Sequence, residues 1–261
     1  MQFTTADGVS LHYLDEGEGA PVLLLHAFPL NSLSFRAQLQ TLSTKYRLIV
    51  PDQRGFGRSG LGPGPTEMST LAGDALALLD HLRIGSSIVG GVSMGGYASM
   101  ALLRLDPARV KALVLVDTRA TEDDEAGKKR REESAQKVLE RGIGVLADSM
   151  VPQLLSPQAS PELRKEVESI IRGNSAKGAA AAQRGMALRP DSREILARYA
   201  GPALLVVGEQ DTLTPPEAAI AMKKLMANGS LVVLPHAGHL SHLEASSEFN
   251  RAFDDFVARL T

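Results

Sequence analysis

The chain has 261 residues, with 28 Lys and Arg against 30 Asp and Glu, so its formal net charge is −2. It contains no cysteine and no tryptophan, and the missing thiols exclude thiolate zinc sites, iron–sulfur clusters, disulfide scaffolds and a cysteine nucleophile. Charges this near balance give no electrostatic reason to expect nucleic acid or an anionic membrane as partner, and 44 % hydrophobic with 22 % charged residues is ordinary globular composition.

Ser10 to Leu14 alternates as a strand does and meets an acidic, Gly-containing turn at Asp15–Gly19. Pro21–Leu25 is a continuous apolar run, as expected of a strand buried on both faces. Ser34–Leu42 reads as a helix, Arg47–Val50 as a second buried strand, and Thr66–Arg83 as an amphipathic helix with Leu71, Ala75, Leu78, Leu79 and Leu82 at helical spacing. Ser87–Gly90 is a third buried strand, followed by Ser93-Met-Gly-Gly-Tyr and a helical run to Leu105 that Pro107 stops. Lys111–Val116 is a fourth. From about Thr118 to Tyr199 nothing reads as a strand. Glu122–Arg141 is dense in charge and suits a solvated helix face, and Gly142, Gly144, Pro152, Pro157, Pro161 and Gly173 cut the rest into short helices. The alternation resumes with Pro202–Val207, a helix over Pro216–Met226, a last strand at Leu231–Leu234 and a closing helix over Glu244–Leu260. Strand–helix alternation on both sides of an all-helical insertion predicts an α/β architecture with a mostly parallel sheet and a helical cap, the core being residues 1–118 and 200–261 and the cap residues 119–199.

No stretch predicts a membrane span. The long mildly apolar stretch from Ser87 to Leu105 is broken by four glycines, three serines, a tyrosine and Arg104. The acidic N-terminal region lacks the basic and apolar pattern of a signal peptide, which predicts a cytoplasmic protein.

The strongest chemical signal is Gly91-Val-Ser-Met-Gly95, a G-x-S-x-G pentapeptide with a buried strand before it and a helix after it. Such a turn lifts a serine hydroxyl above the sheet edge, and glycines are needed where side chains would collide as it closes. Serine is a poor nucleophile without a base. The chain offers His12, His26, His81, His236, His239 and His242.

These features resemble the α/β-hydrolase superfamily, whose triad runs Ser, acid, His along the chain. The resemblance covers about residues 1–118 and 200–261, and the region between resembles the short helical caps of small esterases and enol-lactonases. It implies an α/β-hydrolase fold with the cap inserted after the sixth strand. It also implies Ser93 as nucleophile, His239 (following Gly238 in Pro235-His-Ala-Gly-His-Leu-Ser-His) as base, and Asp211 (four residues before Pro215) as the acid. His236 and His242 are the alternative bases, and Glu209 and Asp117 the alternative acids. The oxyanion hole is expected from the backbone N–H of Met94 and of Phe28; Pro29 has no N–H, and Ala27 stands where similar hydrolases usually carry glycine. In the family-like block Pro51–Gly60, Asp52 and Arg54 are expected to hold loops, and His26 to brace its own.

A serine triad implies acyl transfer, so the expected substrate is a small-molecule carboxylic ester, of short chain, cleaved through an acyl-serine. A lactonase of the 3-oxoadipate enol-lactonase type is the alternative, since Val116-Asp-Thr118 leads into a charged cap helix in both. Perhydrolysis is a third reading, because cofactor-free haloperoxidases carry an aromatic-Pro pair like Phe28-Pro29. A non-catalytic receptor of the same fold is a fourth. Haloalkane dehalogenation is disfavoured, since those enzymes use an Asp nucleophile and a Trp halide ligand. Pocket candidates include Met150, Leu154 and Met186, with Phe28, Met94, Val145 and Leu146 beside them. No cofactor is required, and no metal: His236, His239 and His242 match no ligand spacing.

Overall fold

The computed structural model describes residues 1–260, and the elements below are those of the described residues. In chain order they are β1 (Gln2–Thr4), β2 (Ser10–Glu16), β3 (Ala20–Leu25), α1 (Arg36–Leu42), β4 (Tyr46–Pro51), α2 (Met68–His81), β5 (Ser87–Val92), α3 (Met94–Leu105) and β6 (Val110–Val116). Then come α4 (Glu125–Arg141), α5 (Gly144–Leu154), α6 (Pro161–Arg172), α7 (Ala176–Ala187), α8 (Arg193–Arg198), β7 (Ala203–Gly208), α9 (Pro216–Leu225), β8 (Gly229–Leu234), α10 (Ser241–Glu244) and α11 (Ser246–Val257).

The strands form one sheet in the order β1-β2-β4-β3-β5-β6-β7-β8. Pairs β1/β2 and β2/β4 are antiparallel and the others parallel. Every residue of β5 and β7 is buried, which explains why both read as unbroken apolar or small-residue runs rather than alternating ones. No helix is long and apolar enough to cross a membrane, among the described residues.

The departures from the sequence-based expectations are local. β1 was not predicted; it is three residues long and pairs only with β2. The helix expected over Ser34–Leu42 is a 3-10 turn at Ser32–Phe35, capped by Asn31 accepting from the Leu33 N–H, before α1 begins. The expected closing helix starts three residues early and breaks at Ala245 (φ −118°, ψ 51°), giving α10 and α11.

Helices α4–α8 lie between β6 and β7. Side-chain caps start three of them: Asp124 accepts from the Gly127 N–H, Ser160 from that of Leu163 and Ser175 from that of Gly178. Helix α7 sits directly on the backbone of the segment after β4. A Cβ on Gly178 would lie 1.9 Å from the Gly55 carbonyl oxygen, and one on Gly185 would lie 1.7 Å from that of Thr66. The Thr66 N–H donates to the Ala181 carbonyl in the same contact. Asn174, just before α7, donates to the Pro29 carbonyl (2.8 Å) and accepts from the Gly57 N–H (2.7 Å). These contacts fix the helical insertion over the segments that follow β3 and β4.

Candidate active site

Strand β5 ends at Val92 and α3 begins at Met94, so the whole reversal falls on Ser93, whose φ is 53° and ψ −110°. That left-handed backbone costs a non-glycine residue roughly 1–3 kcal/mol, and the surroundings hold it there. Its N–H donates to the Val116 carbonyl (2.9 Å), and its own carbonyl accepts from Thr118 Oγ1 (2.9 Å). A Cβ on Gly91 would lie 2.1 Å from the Gly95 carbonyl, and one on Gly95 would lie 2.0 Å from that of Leu25. Glycine is therefore required at both positions by space.

The turn presents Ser93 Oγ to His239 Nε2 at 2.8 Å, and His239 Nδ1 lies 2.8 Å from Asp211 Oδ2. Asp211 follows β7; its Oδ1 accepts from the N–H groups of Leu213 (2.8 Å) and Thr214 (3.0 Å), and its Oδ2 from Thr214 Oγ1 (2.7 Å). Burial opposes its charge, but the hydrogen bond and charge of His239 with the Thr214 contacts hold its carboxyl below the usual range. His239 is almost fully buried, which disfavours the charged ring; the bond to Asp211, then the charges of Asp211 and Asp117, outweigh this and raise its pKa above 6.5. The loop carrying it is pinned by Glu244, which accepts from the N–H groups of Gly238 (2.8 Å) and Ser156 (3.0 Å).

The competing residues occupy other stations. Asp117 (φ 45°) is fully buried at the end of β6, where Oδ1 accepts from the Gly208 N–H (2.8 Å) and Oδ2 from the Ser241 N–H (2.9 Å) and Oγ (2.7 Å). It ties the acid loop to the histidine loop without touching the imidazole. Burial, then the charge of Asp211, pushes its pKa up to about 7. Glu209 accepts from the exposed backbone N–H of His236, and the ring of His242 is buried against Phe35 and Phe249.

His26 braces its loop. Its Nε2 accepts from the Gln53 N–H (2.9 Å), so Nδ1 carries the proton and donates to the Ala27 carbonyl (3.0 Å); burial lowers its pKa to about 4. Ala27 is fully buried and is not one of the non-glycine residues with positive φ, so the alanine is accommodated without left-handed backbone. Asp52 accepts from the N–H groups of Ser32 and Arg58, and Arg54 forms forked contacts to Asp74 and Asp7, so both hold loops.

Ser93 and His239 face a cavity of about 190 Å³, also lined by Phe28, Tyr97, Arg119, Arg131, Met150, Gln183, Met186, Leu213 and Thr214. Three of the pocket candidates, Phe28, Met150 and Met186, line this cavity. Leu154 does not: its side chain is fully buried at the end of α5, and its carbonyl accepts from the Leu240 N–H (3.1 Å), joining the insertion to the loop of His239. The Met94 side chain is likewise fully buried away from the cavity; as the first residue of α3, its N–H has no carbonyl one turn back within the helix.

Arg119, Arg131, Gln183 and Tyr97 escaped the sequence reading. The signal for Arg131 lay in the spacing of α4: Gly127, Ala135 and Val138 are its buried face, and Arg131 falls midway between the first two. Dense charge along that helix masked it as a solvated face.

The alpha/beta hydrolase fold profile matches residues 20–246, and the chain belongs to that family. It is a hydrolase whose relatives include esterases and enol-lactonases. It is 29 % identical over 260 residues to 3-oxoadipate enol-lactonase 2 of Acinetobacter baylyi, a match covering 98 % of this chain and 96 % of that one. The thermophilic esterase of Thermogutta terrifontis, solved with malate bound, superposes with a TM-score of 0.96 at 36 % identity, covering 100 % of this chain and 98 % of that one. The enol-lactonase of Burkholderia xenovorans superposes at 0.89 with 25 % identity, covering 96 % and 97 %.

Proposed function

We propose that the protein hydrolyses small carboxylic esters through an acyl-serine intermediate, with the helices of residues 119–199 capping a core of residues 1–118 and 200–261. The observation that carries this reading is the line from Asp211 through His239 to Ser93, 2.8 Å at each step, ending in a cavity. Ser93 Oγ attacks the ester carbonyl carbon as His239 Nε2 takes its proton. The backbone N–H groups of Phe28 and Met94 donate to the tetrahedral oxyanion. Collapse breaks the acyl–alkoxide bond, and the leaving oxygen takes the proton from His239. Water, deprotonated by the same nitrogen, then attacks the acyl-serine, releases the acid and returns the proton to Ser93. Asp211 accepts the Nδ1 proton throughout and stabilises the imidazolium. At about 190 Å³ the cavity is smaller than the ~300 Å³ at which drug-sized ligand sites begin, which favours short chains.

A p-nitrophenyl alkylphosphonate tests the nucleophile directly. Attack on phosphorus releases one p-nitrophenolate and leaves a stable phosphonyl group. Peptide mass spectrometry should find that group on Ser93, and a group on any other residue would reject the assignment.

The pH profile has a defined sign. His239 must be neutral to accept a proton, and its pKa lies above 6.5. Raising a base's pKa moves its protonation to higher pH, so kcat/KM should begin to fall on the acid side above 6.5 and be fully present only at more alkaline pH. A profile flat from pH 8 to 6 would assign the base elsewhere.

Lactonase activity is a second reading, favoured by the near full-length similarity to 3-oxoadipate enol-lactonase 2. A lactone is an internal ester, and the same steps open it.

A further inference from the structure

We propose that Arg119 and Arg131 form a carboxylate subsite beside Ser93, so that the preferred substrates are short esters or lactones carrying an ionised carboxylate. The inference rests on the ester-hydrolase reading for the reaction but not for the binding.

Three guanidinium groups, those of Arg119, Arg131 and Arg189, converge on the single buried carboxylate of Asp123. One negative charge faces three positive ones, and none of the residues lining the cavity is acidic, among the described residues. Arg189 is spent. It is buried, donates to Asp123 (2.9 Å) and to the carbonyls of Met186 (2.9 Å) and Thr121 (3.0 Å), and stacks on Tyr97 at 4.2 Å. The other two are not. Arg131 reaches Asp123 with Nε and Gln183 Oε1 with Nη1 at 2.9 Å. Arg119 reaches Asp123 through Nη2, while its Nε is buried without a hydrogen-bond partner.

The excess positive charge lies where water is already restricted, and a carboxylate would balance it, its two oxygens matching the planar fork of an arginine. Arg119, Arg131, Gln183 and Leu213 also form a wall of an outer cleft of about 280 Å³, which carries Arg130 and Asp123 as well. The pair therefore stands between the reacting serine and the way in. Half-esters of short dicarboxylic acids fit this layout: the ester carbonyl at Ser93, the free carboxylate on the arginines.

Monoethyl succinate and ethyl succinamate differ only by carboxylate against amide. Wild type should prefer the charged ester by tenfold or more in kcat/KM. Arg131→Gln and Arg119→Gln should each reduce that ratio about tenfold, and the lysine substitutions should restore part of it. Calorimetry on the Ser93→Ala protein reads the subsite without turnover: succinate should bind, succinamide should not, and both Gln substitutions should weaken succinate. Equal kcat/KM for the two esters, or succinate binding indifferent to both arginines, overturns the subsite. Ser93-dependent cleavage of both esters at equal rates leaves the hydrolase reading standing and removes the subsite. Arginine-dependent succinate binding with no ester cleaved does the reverse.

Discussion

Ser93→Ala should lower kcat for p-nitrophenyl acetate by about 10⁴-fold or more, with Asp211→Asn close behind at about 10⁴-fold. The two losses have different origins. In the proposed mechanism, removing Ser93 Oγ removes the atom that forms the new bond. Asp211→Asn keeps the shape of the side chain but changes what it offers to His239 Nδ1, 2.8 Å away. With Thr214 already donating to Oδ2 and two backbone N–H groups donating to Oδ1, an amide NH₂ faces donors on either side. Its best arrangement leaves the imidazole in the wrong tautomer or shifts the ring away from Ser93. If the three groups act on one proton, as proposed, the losses should not add. Asp117→Asn is the informative contrast. Asp117 holds the loops of Gly208 and Ser241, so its amide should cost geometry and stability, with kcat falling less than in Asp211→Asn. Steady-state rates of the three variants decide it. Greater damage from Asp117→Asn would place the acid after β6 instead of after β7.

Gly95→Val should be the most damaging single change to the fold near the site. The first added carbon alone would sit 2.0 Å from the Leu25 carbonyl oxygen and 3.0 Å from that of His26. Both are backbone atoms, so no rotamer change relieves the collision. Either α3 moves off β3, or β3 and the His26 loop move off the sheet. Overpacking of this kind costs about 3 kcal/mol or more, a fall in Tm on the order of 10 °C for a chain of this size. Ester turnover should fall as well, since Ser93 and Phe28 lie on the two segments forced apart. Gly73→Ala supplies the opposite sign: it sits within α2, exposed, with nothing within 4 Å of its added Cβ. That change should raise stability by about 0.5–1 kcal/mol through helix propensity and the loss of unfolded-state freedom. Thermal melts of both variants beside wild type check the pair; a Gly95→Val protein melting with wild type would show that the turn has slack the structure does not.

How far the site is legible in the chain differs from residue to residue. The pentapeptide around Ser93 announces itself because tight reversals leave room only for glycine at Gly91 and Gly95, a requirement written within five residues. Gly238-His239 and Asp211 were singled out through resemblance, each in the loop that follows a predicted strand. Leu154 and Met94 were misplaced as pocket walls because apolar character says that a side chain leaves water, not which neighbour it meets. Strand β1 was missed because three residues carry too little pattern to register.

The sequence by itself therefore determined the alternation of strands and helices and the tight glycine-flanked turn at Ser93. Both follow from short-range constraints: hydrophobic periodicity and turn sterics. Only the tertiary structure decided which side chains face the cavity and what charge they bring. Arg119 comes from the loop after β6, Arg131 from α4 and Gln183 from α7, and they meet because Gly178 and Gly185 let α7 settle on the backbone of the core. That meeting depends on how helices far apart in sequence pack, and it turns a helix that reads as solvated charge into one wall of the site.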